Sequence, residues 1–516
     1  MGYLPSRPLS FLISIYVGIN LIFSLLPVNN PWQTIGLATP RNWIASYFSN
    51  RVGVLSFANI VLAVLFAARN NPLMYFAGFS QTTNITFHRW SARIAAIQAV
   101  IHSILFTITY FWSGGYSAYS AEAAKAYYWW GIIATLALAL AICLATLPLR
   151  IWKYETFLIV HIGLAILALV ACWYHIIERY SKDWGYEVYL YISFAFWGYD
   201  RLARLVRLGV YNRAGPSSRA YAELFPGSDF IKLTVFPKMS WEFQPGQYSF
   251  LYFPSIGKPY ESHPFSVVSW SCVSQARSLA DNQSQSPLGK TDIVPTSNSG
   301  TSAQNNPYSP SRTQLTPSIT FLIRPSSGAT CQLYNYVHSV SSSSQSSQAA
   351  GPVPVDALIE GPYGQAHPVH KSNFIVCIAG GVGITAILGY ISAFVEAQRM
   401  AGEETARGSM AERMVVAWSA KEIGLIDAVR GMIPIDAEAR GVELMFTCTE
   451  RGPREDENRR IDIGQVIQAE AQGLGKKKLA VVSCGPGGMA DVVRIEVVKS
   501  LRKGHNVELF EEAFAW

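Results

Sequence analysis

Four histidines fall inside two long apolar stretches: His88 and His102 in one, His161 and His175 in the other. Each pair is separated by 14 residues, from 88 to 102 and from 161 to 175. On an α-helix that spacing is about 3.9 turns, so both members lie within roughly 40° on one face and about 21 Å apart along the axis. Ionisable side chains are costly within a bilayer and mark functional positions there. Parallel helices with this shared spacing set His88 opposite His161 and His102 opposite His175. Each facing pair supplies two axial imidazoles to one iron, which predicts two stacked six-coordinate b-type hemes. Saturated bis-histidine ligation suits electron transfer rather than oxygen binding at iron. A zinc or copper site needs ligands gathered at one point, not in two distant layers.

The elements that position these histidines are membrane spans. Half of the 516 residues are hydrophobic and 15% are charged, against about 25% charged in an ordinary soluble domain. Six segments approach the roughly 20 apolar residues that a bilayer crossing needs: Leu9–Val28, Val52–Ala68, Phe87–Trp112, Trp129–Leu149, Glu155–Ile177 and Tyr186–Leu205. Basic residues gather in alternate connections: Arg69, Arg89 and Arg93, then Arg150 and Lys153, then Arg201, Arg204 and Arg207. By the positive-inside rule that side is cytosolic, with both termini on it, although Arg41, Arg51 and Lys182 run against the trend. The opposite side carries Tyr116, Tyr119 and Tyr127 to Trp130, an interfacial aromatic belt. The net charge of +7 comes without a basic run interleaved with aromatics, so nucleic acid is not an expected partner. The seven cysteines form no CxxC pair, which removes the sequence basis for a disulfide framework or a zinc site.

After Gly209 the texture changes to short β-rich runs such as Phe230–Phe236 and Tyr248–Phe253, as in a compact antiparallel barrel. From Asn373 strands and helices alternate, as in a doubly wound α/β domain. The expected architecture is a helical membrane domain over 1–208, a β-barrel domain over 209–370 and an α/β domain over 371–516. Polar insertions near 274–316 and 339–352 are expected to be disordered. Within the α/β domain, strand Phe374–Ala379 leads into Gly380-Gly381-Val382-Gly383-Ile384-Thr385 and a helix. Glycines there let the backbone approach a pyrophosphate, and the helix start offers N–H donors to it.

Phe243-Gln244-Pro245-Gly246-Gln247-Tyr248 followed by His263-Pro264-Phe265-Ser266 resembles the flavoprotein domain of the fungal ferric reductases and NADPH oxidases. The resemblance implies that His263, Pro264, Phe265 and Ser266 hold FAD, with Arg324, Gly328 and Thr330 toward its pyrophosphate. It implies NADPH on Gly380, Gly381, Gly383, Ile384 and Thr385, with Cys484, Gly485 and Pro486 beside the nicotinamide. Ser419 and Lys421 stand at the position that meets the 2′-phosphate; Lys replaces the more usual Arg, and Arg451 is a second candidate. A terminal aromatic, Phe514 or Trp516, is expected to stack on the flavin. The implied activity is a plasma-membrane ferric-chelate reductase, with cupric ions as another acceptor. A superoxide-producing oxidase of the same architecture, and a transporter with a nucleotide-sensing domain, stay open as alternatives.

Overall fold

The computed structural model describes residues 7–26, 40–212, 219–271 apart from 226, 240, 242, 259 and 260, 317–343, 351–401 apart from 365, 411–449 and 460–512. The chain divides into one unit over 1–204 and another over 205–516.

The first unit is helical: α1 (Arg7–Leu25), α2 (Pro40–Ala67), α3 (Gln81–Ala123), α4 (Ala126–Leu144), α5 (Tyr154–Tyr180) and the start of α6 (Glu187–Tyr211). Helix α3 starts at Ser80, whose hydroxyl accepts from the Thr83 N–H at 3.2 Å. Helices α1 to α5 are each long and apolar enough to cross a membrane. Helix α6 forms over the sixth expected span but does not meet that measure; its second half carries Asp200, Arg201, Arg204 and Arg207. Small side chains let α2 pack on α3 and α4 on α5: Ala95 and Ala171 are fully buried. Interhelical polar contacts pin the packing, as where Ser56 Oγ donates to the Ala95 carbonyl at 2.8 Å. Helix α3 breaks at Gly114–Gly115, and Gly115 sits at φ +66°, a conformation only glycine adopts at low cost.

The second unit opens with seven antiparallel strands: β1 (Arg219–Leu224), β2 (Ile231–Val235), β3 (Tyr248–Tyr252), β4 (His263–Ser271), β5 (Ser318–Ile323), β6 (Val353–Asp356) and β7 (Leu358–Tyr363). Their order is β6-β1-β2-β5-β4-β3-β7, with register shifts on β4/β5 and β3/β7 that bend the sheet. Alternate residues of β2, Ile231, Leu233 and Val235, turn inward to a core closed by Phe321 and Ile359.

Part of the second insertion is corrected. Residues 339–343 are not disordered but form the end of α7 (Ala329–Ser343). The Ser-rich composition hides an apolar stripe, Leu333, Val337 and Val340, spaced four and three residues apart and packed on the barrel core. Residues 344–350 and the first insertion, 274–316, lie outside the described residues.

The chain then forms a five-stranded parallel sheet in the order β10-β9-β8-β11-β12, from β8 (Phe374–Gly380), β9 (Arg413–Ala420), β10 (Val442–Cys448), β11 (Leu479–Cys484) and β12 (Val507–Glu511). Helices α8 (Ile384–Ala401) and α9 (Ile423–Arg430) cover one face; α10 (Ile463–Gln472) and α11 (Gly487–Arg502) cover the other. Helix α8 is apolar enough for a membrane span, but its hydrophobicity serves this core, where Ile387 and Ile391 are fully buried. The strand order reverses between β8 and β11, the crevice where doubly wound sheets bind nucleotides.

Candidate functional site

In the helical unit the four histidines meet as two pairs across α3 and α5. The ring centres of His88 and His161 are 6.1 Å apart with planes at 82°, and those of His102 and His175 are 6.2 Å apart at 87°. Two imidazoles on one iron place their ring centres about 6.2 Å apart, given a metal–nitrogen bond of about 2.0 Å and about 1.1 Å from nitrogen to ring centre. Both pairs match that separation.

The outer nitrogens fix the tautomers. His88 Nδ1 lies 2.8 Å from the Ala63 carbonyl, His102 Nδ1 2.8 Å from the Ser49 carbonyl and His175 Nδ1 2.8 Å from the Tyr127 carbonyl. A carbonyl only accepts, so Nδ1 carries the proton and Nε2 keeps its lone pair for a metal. His161 differs: its buried Nδ1 approaches the Ala141 carbonyl without a well-formed hydrogen bond. Two glycines admit the rings. A Cβ on Gly53 would lie 2.6 Å from His102 Nδ1, and one on Gly131 would lie 2.8 Å from His175 Nδ1. Around His102 and His175 the unit forms a half-open cavity of about 290 Å³. Facing bases, fixed tautomers and an apolar cavity fit a b-type heme at this pair; the His88/His161 pair offers the same ring geometry.

On the barrel, His263, Pro264, Phe265 and Ser266 open β4 and pair with Leu251, Phe250, Ser249 and Tyr248 of β3. Ser266 is buried and its Oγ has no partner among the described residues. An orphaned hydroxyl of this kind fits a polar ligand atom such as a flavin supplies. His263 Nε2 lies 3.0 Å from Glu261 Oε1, which also accepts from the Ala329 N–H at 3.1 Å. Burial pushes the Glu261 carboxyl up, but the bonds from His263 and Ala329 outweigh it and hold the group below its ordinary range. Glu261 thus occupies one donor at the start of α7. Gly328 precedes that start at φ +68°, and Thr330 Oγ1 accepts from the Ser326 N–H at 3.0 Å. Arg324 is exposed at the end of β5, where a guanidinium can reach a diphosphate. Sequence reasoning missed both Glu261 and the helix start.

The glycine-rich turn and the Cys484 turn lie side by side. Strands β8 and β11 pair Ala379 with Cys484, and β8 and β9 pair Gly380 with Ser419. A Cβ on Gly383 would collide with the Cys484 carbonyl, and one on Gly380 would lie 2.8 Å from Pro486 Cδ. Only glycine allows this approach. Buried Trp418 donates from Nε1 to the Gly381 carbonyl at 2.9 Å and fixes the turn, and Thr385 Oγ1 donates to the Val382 carbonyl at 2.9 Å. Ile384 is fully buried as the first residue of α8. The turn leaves open space beside Gly381, at the start of α8, for a pyrophosphate. Ser419 Oγ bonds Thr447 Oγ1 at 2.9 Å, and Lys421 is exposed just past β9. Gly485 and Pro486 are exposed beside the turn, whereas Cys484 is buried. Burial, and secondarily the Glu512 carboxyl, push the Cys484 thiol up, so it is a thiol and not a nucleophilic thiolate. Arg451, Phe514 and Trp516 lie outside the described residues.

Glu512 is a further residue that sequence reasoning did not single out. Its N–H donates to the Ser483 carbonyl at 2.9 Å, and its carboxyl accepts from the Tyr390 hydroxyl. Burial pushes that carboxyl up to about 7, against the lowering effect of Tyr390. His367 Nε2 lies 3.6 Å away, and burial pushes the imidazole down, toward its neutral form. The available signal was an acidic pair, Glu511-Glu512, at the end of the last strand.

Residues 52–172 match the family model described as a ferric reductase like transmembrane component, and residues 218–279 match that of an FAD-binding domain. The first match holds His88, His102 and His161 and ends before His175; the second holds His263 to Ser266. Ferric reductase transmembrane component 4 of Saccharomyces cerevisiae is 28% identical over 74% of this chain and 44% of its own length. Ferric reductase transmembrane component 3 of the same yeast is 25% identical, and its ferric/cupric reductase transmembrane component 2 is 24% identical; both alignments span 100% of this chain. The chain spans 68% of each of those two proteins.

Proposed function

We propose, from the premise that this chain is a relative of the fungal ferric reductase transmembrane components, that it reduces ferric chelates across a membrane with electrons from NADPH. When bound, the nicotinamide nucleotide supplies a hydride, FAD converts the pair to single electrons, and two b-type hemes carry these across the bilayer. The chain's own residues set position and order. His88 with His161 and His102 with His175 hold the two irons; their facing pairs at iron-bridging separation carry this reading.

Ser266 and the Arg324–Thr330 segment hold FAD, and the Gly380–Thr385 turn holds the pyrophosphate of NADPH. Cys484, Gly485 and Pro486 shape the nicotinamide pocket. Ser419 and Lys421 supply a hydroxyl and a cation to a 2′-phosphate, where a free ribose would call for an acidic residue. The basic connections support the reading that both termini and the nucleotide site face the cytosol, and the membrane proposed is the plasma membrane.

The test is NADPH oxidation by the purified full chain with ferric chelate, cupric ion or oxygen as acceptor. Two ferrous ions per NADPH under anaerobic conditions are expected. Superoxide in proportion to NADPH, with no ferrous iron, overturns this reading in favour of an oxidase. A chain without a b-type heme spectrum overturns it in favour of a transporter.

A further inference from the structure

The cavity around His102 and His175 does not end at the histidines. Arg179 lies four residues beyond His175 on α5, hence one turn further along the same face. It lines the cavity with Tyr110, Tyr119, Tyr128 and Tyr180. Its guanidinium carbon is 5.1 Å from the Tyr127 ring centre and 5.6 Å from that of Tyr180. These aromatic neighbours hold the guanidinium in place, and it also bonds the Tyr180 side chain, which leaves its further N–H groups to meet an anion. The break at Gly114–Gly115 turns the end of α3 back over this mouth: Tyr119 stacks on Phe111 at 4.7 Å and meets Tyr128 edge-on at 6.1 Å.

Glu122, a carboxylate on which Arg179 acts, already accepts from Lys125 Nζ and the Tyr127 hydroxyl. Arg179 is exposed in the last turn of α5, so its guanidinium is accessible to a ligand that enters the cavity. The group that suits a guanidinium edge is a carboxylate, which it can take through two parallel N–H bonds.

We propose that Arg179 and its tyrosine surround form a carboxylate-binding site at the His102/His175 end of the cavity. A carboxylate can reach it from two sources: the side chain of a porphyrin ligated by those histidines, or a small-molecule chelate of ferric iron docking as acceptor. The second source rests on the function proposed above; the first does not.

The experiment compares the full chain in native-like membranes with its Arg179→Gln and Arg179→Lys variants. The acceptors are ferric citrate and a ferric tris-hydroxamate that has no carboxylate, and the heme potentials are titrated in parallel. Loss of a charge-assisted bidentate contact weakens binding by about 10- to 100-fold. If the chelate is the source, Arg179→Gln raises the KM for ferric citrate by that factor and leaves the hydroxamate KM and both heme potentials unchanged. If the porphyrin is the source, one heme potential falls, because a positive charge beside the iron has gone, and both acceptors slow alike. Arg179→Lys keeps the charge but loses the fork, and restores either property only in part. Unchanged potentials together with an unchanged ratio of the two KM values overturn the proposal. Should Arg179→Gln fail to accumulate, the same two readouts on Arg179→Lys decide. A wild-type chain that reduces no ferric chelate sinks the proposed function, while the heme titration still judges Arg179.

Discussion

Replacing Gly53 by Ala tests the heme geometry at its tightest point. The added methyl would sit 2.6 Å from His102 Nδ1 and 3.0 Å from Cε1. Non-bonded carbon contacts settle near 3.5 Å, so the imidazole or α2 must move by about 0.9 Å. Metal–ligand distances tolerate about 0.2 Å. The displacement also strains the 2.8 Å bond from His102 Nδ1 to the Ser49 carbonyl. Loss of such a supporting contact lowers metal affinity by about 10- to 100-fold. The expected result in Gly53→Ala is a heme-to-protein ratio falling from two toward one, read by pyridine haemochrome assay, with FAD retained. Gly163→Ala is the control. Gly163 lies on α5, two residues after His161, and its Cβ would meet nothing within 4 Å. Both substitutions raise helix propensity equally, so the difference between them isolates the steric effect. A Gly53→Ala chain with two hemes and an unaltered spectrum would refute the assignment of His102 as an axial ligand.

Three further outcomes follow from the second unit. Ser266→Ala removes the orphaned hydroxyl and is expected to weaken FAD binding by about two- to tenfold, one hydrogen bond's worth, with both hemes retained; FAD titration of the apoprotein measures it. Gly383→Ala forces a methyl against the Cys484 carbonyl, an overpacking of about 1–3 kcal/mol; NADPH-driven flavin reduction should fall at least about fivefold while dithionite still reduces the hemes. Glu512 titrates near 7 in the folded chain against 4.5 for its ordinary value. A raised carboxyl favours the folded state fully below about pH 4.5, and that contribution is lost as the pH climbs through 7, up to about 3 kcal/mol. Thermal release of FAD should therefore come at lower temperature as the pH rises through this window, and Glu512→Gln should flatten the dependence.

The two facing histidine pairs were legible because two rare events coincide: ionisable side chains within apolar spans, and one spacing used twice. Their supports were not legible. Every residue has a carbonyl, so nothing in the sequence marks Ser49, Ala63 and Tyr127 as the ones that orient imidazoles. The strands around Gly380 and Cys484 could be read from short apolar runs ended by glycine, and the order that makes them neighbours follows from the doubly wound rule. Composition misled at α7, where serines outnumber the stripe Leu333, Val337 and Val340 that decides the fold. Glu512 escaped notice because its burial arises from Tyr390, 122 residues earlier in the chain.

The most direct test of transmembrane electron transfer uses sealed vesicles that hold the full chain with its second unit outward and a membrane-impermeant ferric chelate trapped inside. NADPH is added only outside. Ferrous iron should accumulate in the lumen, and substitution of either His88 or His102 by Leu should abolish it. Ferrous iron formed only in the outer medium, or luminal reduction that survives loss of a histidine pair, would contradict the account.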